Sequence, residues 1–142
     1  MEIALLEAQK AFDAKEVPVG AVVVRDGAVV ARAHNLTVSQ QNPLKHAELI
    51  AIQGACGALN RPYLEDCELY VTLEPCAMCA GAIAHARLAR VYFGAYDPKS
   101  GGTEHGARVF DHPQSHHKPE VYGGIMEGEC AQLLKDFFVH RR

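Results

Sequence analysis

The stretch Pro75-Cys76-Ala77-Met78-Cys79 sets two thiols three residues apart. Positions i and i+3 of a helix share one face, so both sulfurs would point the same way. Pro75 suits a helix start, where its missing N–H is not needed. In a first turn, unpaired N–H groups and the helix dipole favour the thiolate, the form that binds zinc. Two thiolates leave a tetrahedral ion two ligands short. His46, also at the start of a predicted helix, is the candidate third ligand through Nδ1 or Nε2. Three protein ligands and one open position are the pattern of a catalytic zinc, one ion per chain. The open position suits a water, whose pKa such an ion lowers to about 7. Glu48 stands two residues after His46. Residues i and i+2 of a regular helix point roughly 200° apart. A carboxylate beside the metal rather than on it suits a proton shuttle.

Other readings of these residues are a redox dithiol, a structural zinc site and a non-catalytic zinc-binding module. Pro75 and the alanine-rich helix disfavour the first, and no fourth Cys or His at ligand spacing supports the second. Glu48 argues against the third, since a structural site has no use for an unliganded acid. Cys56, Cys67 and Cys130 read as small hydrophobes. His112, His116 and His117 form a cluster that reads as a polar loop face before it reads as a metal site.

The elements that must hold these residues alternate. Apolar periodicity predicts a helix over residues 2–15. Two apolar runs around Arg25-Asp26-Gly27 predict a hairpin of residues 21–24 and 28–33. Residues 35–45 read as a loop and His46 to Leu59 as a buried helix. A strand over 68–73 precedes a helix from Pro75 to about Arg87, and a fourth strand spans 90–94. Residues 95–120 are rich in Gly, His, Pro and Lys, with a short helix expected near 106–110. A last strand at 121–125 and a closing helix at 127–140 complete a three-layer α/β/α sandwich with a mixed five-stranded sheet.

Length and composition bound the rest. The 142 residues suit one domain, 1–142. With 49% hydrophobic and 22% charged residues, the chain is globular rather than disordered. A net charge of −3 offers no general basic field, so any nucleic-acid surface must be a local patch. Five cysteines, an odd number, fit a reducing cytoplasm better than a disulfide framework. No secretion signal or membrane span is expected.

His46-Ala47-Glu48 followed by Pro75-Cys76-Ala77-Met78-Cys79 matches the zinc-dependent deaminase signature. More of the chain resembles one branch, the bacterial tRNA-specific adenosine deaminase (TadA) family. The resemblance runs through Glu16 to Val24, Asn35, Leu73 to Ala82, Val91 to Ala95 with Asp97, and Asp136-Phe137-Phe138 with Arg141-Arg142. It implies a cytidine-deaminase-like fold, a homodimer and conversion of adenosine to inosine at the wobble position of a tRNA anticodon. It also implies site roles. Asn35 would contact the flipped nucleoside, Ala47 would join it in binding substrate, Asp97 and Lys99 would lie near the anticodon backbone, and Phe137 and Phe138 would lie on a closing helix beside the anticodon pocket. A zinc deaminase of free guanine, cytidine or adenosine is the alternative. Residues 101–117 depart from the commoner pattern of the family, as does the short N-terminus.

Overall fold

The structure, a computed structural model, describes residues 1–140. Its elements are α1 (Glu2–Asp13), β1 (Gly20–Arg25), β2 (Ala28–His34), α2 (Ala47–Leu59), β3 (Cys67–Leu73), α3 (Ala77–Ala86), β4 (Arg90–Ala95), β5 (Glu120–Tyr122) and α4 (Glu127–His140). The sheet runs β2-β1-β3-β4-β5. The β1–β2 hairpin and the β1–β3 pair are antiparallel, while β3, β4 and β5 are parallel. Asp26 and Gly27 both take positive φ, 50° and 77°, the backbone that a tight hairpin turn demands. Parallel neighbours need a crossover, and α3 supplies it between β3 and β4.

Alternation along the strands builds the layers. Ala21, Val23, Leu69, Val71, Val91 and Phe93 join Ala47, Ala51, Ala55 and Ile83 of α2 and α3 in one buried core. On the opposite face α1 packs against β1 and β2, and α4 against β4. The buried face of α1 is built from Ala4, Ala8 and Ala11, so its backbone comes close to the sheet. A Cβ at Gly20 would sit 1.9 Å from the carbonyl oxygen of Ala4, which makes glycine the residue that fits there.

The expected mixed five-stranded sandwich is present, with shifted details. The helix expected from Pro75 begins at Ala77, because Cys76 is extended (φ −72°, ψ 175°) and forms the N-cap. His46 likewise caps α2 in an extended conformation. The strand expected at 121–125 is shorter, Glu120–Tyr122, since Gly124 turns to φ 82° two residues beyond it. The short helix expected near 106–110 is a single 3-10 turn, Val109–Asp111. No helix among the described residues is long and apolar enough to cross a membrane.

One charged residue of α1 is buried. Glu7, 3% exposed, meets Lys10 Nζ at 2.7 Å, Arg32 Nε at 2.8 Å and His34 Nδ1 at 3.0 Å. Burial alone would raise its pKa, but the bonds from Lys10, His34 and Arg32 prevail and lower it from 4.5 to about 2. A depressed carboxylate stabilises the fold fully above its unfolded pKa and loses that contribution as pH falls through the folded one. The stabilisation, up to about 3 kcal/mol, should therefore fade between pH 4.5 and about 2. Thermal melts across that window should fall steeply for the native chain. They should fall less steeply for Glu7→Gln, and equal slopes would show that Glu7 is not the group responsible.

Candidate metal centre and its surroundings

The N-termini of α2 and α3 converge. His46 caps one, Cys76 caps the other, and Cys79 lies in the first turn of α3. His46 Nδ1 is 3.7 Å from Cys76 Sγ and 3.4 Å from Cys79 Sγ, and the three ligand atoms all lie within 4.8 Å of one another. A tetrahedral zinc with Zn–S of ~2.3 Å and Zn–N of ~2.0–2.1 Å spaces nitrogen and sulfur about 3.5 Å apart. The donor set therefore fits such an ion, and through Nδ1.

The electrostatics agree. The hydrogen bonds of Cys76 to Cys79 and then to His46 lower its pKa to about 4, against the effect of burial. The Cys79 thiol is pushed upward, first by its bond to Cys76 and then by burial. Without a cation the pair carries one thiolate and resists a second charge, and a divalent ion would let both ionise. His46 is raised chiefly by its bond to Cys76.

Glu48 is the second residue of α2 and 4% exposed. Burial foremost, with the neighbouring Cys76 charge, raises its carboxyl pKa to about 7. It hydrogen-bonds Cys79 but does not belong to the ligand cluster. A carboxyl poised near neutrality beside a metal position can both take and give a proton.

Asn35 follows β2, is 8% exposed, and accepts the N–H of Ala47 on Oδ1 at 2.8 Å. Its amide nitrogen is left as the donor it can offer a ligand. Ala47 is fully buried, so its N–H serves Asn35. Asp97, Lys99 and Phe138 line one cleft of about 830 Å³ with Val17, Leu73 and Tyr96. Asp97 Oδ1 accepts the N–H groups of Lys99 and Ser100 at 3.2 and 3.0 Å, which fixes the turn that carries Lys99. The two adjacent phenylalanines separate. Phe138 is 50% exposed, whereas Phe137 is buried edge-on to Phe12 and Phe138. Arg141 and Arg142, expected to add basic tips here, lie outside the described residues. The histidine cluster divides too: His117 Nε2 donates to the carbonyl of Leu88 at 2.7 Å, and His112 Nδ1 accepts the N–H of Gln114.

Glu74 was not singled out in the sequence, although it stands two residues before Cys76. Its side chain is fully buried. It accepts the N–H groups of Asp97, Glu104 and His105, each at 3.0 Å, and His105 Nδ1 at 2.7 Å. Thr103 adds weaker bonds. One carboxylate thus ties the 97–105 loop to the strand that leads into the cysteines. A Cβ on Gly101 would fall 2.4 Å from Glu74 Oε2, so the loop can close over the carboxylate only with glycine there. An acid between an apolar strand and Pro75 was the available signal.

Comparison with known proteins accords with this geometry. A family model for MafB19-like deaminase matches residues 1–142. A tRNA-specific adenosine deaminase of Agrobacterium fabrum is 50% identical over 142 residues, 100% of this chain and 93% of that protein. One from Bacillus subtilis is 46% identical over 138 residues, 97% of this chain and 86% of that protein. A solved structure from a study of A-to-I editing by tRNA:A34 deaminases at the wobble position superposes with a TM-score of 0.93. It has 51% identity and covers 94% of this chain and 97% of its own. The guanine deaminase of Nitrosomonas europaea, 20% identical with a TM-score of 0.81, shares the fold over 97% of this chain and 82% of its own.

Proposed function

The chain belongs to the tRNA-specific adenosine deaminases, and on that premise we propose that it hydrolyses adenosine to inosine at the wobble position of a tRNA anticodon. The observation that carries the chemistry is the meeting of His46 Nδ1 with both cysteine sulfurs beside a buried Glu48. His46, Cys76 and Cys79 would hold one zinc per chain. When bound, such an ion polarises a water and lowers its pKa to about 7.

The protein's own groups do the rest. Glu48 takes a proton from the water that adds to C6 of adenine. It delivers that proton to the adjacent ring nitrogen, then takes the proton of the hydroxyl now on C6 and passes it to the departing amine, so adenosine and water become inosine and ammonia. Its buried place beside the metal cluster, but outside it, suits it to both directions of transfer. Asn35, its oxygen fixed by the Ala47 N–H, offers its amide hydrogens to the flipped nucleoside. Ala47 contributes by holding Asn35. Phe138 presents a face on which a base can stack, and Phe137 supports it from within. Asp97 shapes the turn that presents Lys99 to a phosphate. The single domain spans 1–142, and we place the protein in the cytoplasm as a homodimer, a state that light scattering would test.

A deaminase of a free base would use the same metal centre. The exposed Phe138 and Lys99 around one cleft favour a polymer. Extrusion of a base from a single-stranded loop is cheap, whereas a duplex adds an unpairing cost of a few kcal/mol. Ammonia release should therefore be faster from an anticodon stem-loop than from duplex RNA or from free adenosine, guanine or cytidine at equal concentration. With a chain charge of −3, few phosphate contacts are expected. The logarithm of affinity should fall by about 0.7 per contact per decade of salt, and Lys99→Ala should weaken binding without changing zinc content. Faster turnover of a free base than of the stem-loop would overturn the polymer reading.

A further inference from the structure

Glu16, between α1 and β1, is fully buried, yet among the described residues no cationic side chain is one of its hydrogen-bond partners. All four bonds come from one short stretch of loop. Oε1 accepts the Thr37 hydroxyl at 3.3 Å and the Val38 N–H at 3.0 Å. Oε2 accepts the N–H and the hydroxyl of Ser39. Burial alone would raise the Glu16 pKa, and these donors hold it below its ordinary value instead. A buried carboxylate is unfavourable unless its bonds are well made, and here each bond comes from the same loop.

The position of that loop gives the clamp its meaning. Residues 36–45 connect Asn35 to His46, so both ends of the loop are site residues. Its base is closed by the Leu36 N–H on the Lys45 carbonyl at 3.0 Å and by the Ala47 N–H on Asn35. Val38, 61% exposed, lines a hollow of about 610 Å³ with Phe12, Lys15, Phe137 and His140. Val17, next to Glu16, lines the 830 Å³ cleft that holds Asp97, Lys99 and Phe138. The clamp thus stands between two hollows that flank the end of α4.

We propose that Glu16 is a positioning residue for RNA: it braces the 37–39 loop as one wall of the binding surface and so sets affinity for the stem-loop rather than the rate of chemistry. This rests on the RNA-deaminase reading above. An exposed loop that loses its acceptor samples other conformations, and binding must then supply the ordering free energy. The competent fraction falls, and apparent affinity falls with it.

The test compares the native chain, Glu16→Gln and a loop-side double variant, Thr37→Val with Ser39→Ala, on an anticodon stem-loop. Gln keeps the volume but turns an NH₂ toward N–H donors, while the double variant leaves the buried acid in place. KM is expected to rise about 10-fold for Glu16→Gln, the equivalent of ~1.4 kcal/mol, and to rise in the same direction for the double variant. Turnover at saturation should stay within about 3-fold, zinc should remain at one per chain, and the Val38 and Ser39 amides should exchange faster. An unchanged KM in a folded Glu16→Gln chain overturns the inference. So does a joint fall of turnover and zinc content, which would mark a general structural role. If Glu16→Gln does not fold, the double variant decides by the same criteria. A native chain that deaminates no stem-loop overturns the functional reading and this inference with it. A native chain that does, beside variants with unchanged KM, overturns the inference alone.

Discussion

Glu48→Gln is expected to keep one zinc per chain and to lose deamination of the stem-loop by at least the ~10²–10⁴-fold that general acid–base catalysis supplies. The amide has the shape of the acid and fills the same buried space, but it can neither take a proton from water nor return one to the leaving amine. Glu48 lies outside the ligand cluster, so the metal has no reason to leave. A second effect should accompany the first. The native carboxyl is raised to about 7, with burial as the main cause. A buried acid whose folded pKa lies above its unfolded one costs stability as pH rises from 4.5 toward 7, and the cost is complete above 7. In the metal-free chain at pH 8, Glu48→Gln should therefore melt no lower than the native protein. Near-native turnover in the variant would remove Glu48 from the chemistry. A variant melting well below the native chain would show that its carboxylate serves the fold instead.

The candidate metal cluster was legible because its signal is local. Cys76 and Cys79 share a helix face by spacing alone, and His46 and Glu48 gain their meaning from standing at the start of a buried helix together with that pair. The Asp26-Gly27 turn was legible for a similar reason, since two consecutive residues carry its φ requirement. The other three buried acids were not. Glu7, Glu16 and Glu74 bond residues 21 to 31 positions away, apart from the Lys10 contact of Glu7. Nothing near Glu7 or Glu16 in sequence distinguishes them from solvated surface acids, and Glu74 has only its place between an apolar strand and Pro75. The 97–105 segment read as irregular because its order comes from Glu74 and not from any periodicity of its own. Phe137 and Phe138 are adjacent, so periodicity left both on the apolar side of one helix. Packing against Phe12 decided which turned inward. What sequence reading missed is the bracing that fixes loops around the site, and bracing is by nature non-local.

Cys76→Ala and Cys79→Ala are each expected to lose zinc and activity together. Either change leaves His46 and one sulfur, two ligands where a catalytic zinc uses three. Affinity should fall by more than the ~10–100-fold that follows loss of a mere supporting partner. The fold should survive. The core is built from strands and helices whose contacts do not pass through the metal position. In the metal-free chain the remaining charges also have partners: Cys76 is held near pKa 4 by Cys79 and His46, and His46 is raised by Cys76. Chelation should therefore give a folded, inactive chain that recovers turnover when zinc is restored, unlike a small zinc domain that unfolds without its ion. The two variants should differ in one respect. Cys79 is fully buried and Cys76 is partly exposed, so Cys79→Ala should lower the melting temperature of the metal-free chain further. Zinc analysis, circular dichroism and ammonia release on the same preparations check all of this. Stoichiometric zinc in either variant would mean that another residue completes the site, and collapse of secondary structure on chelation would make the ion structural.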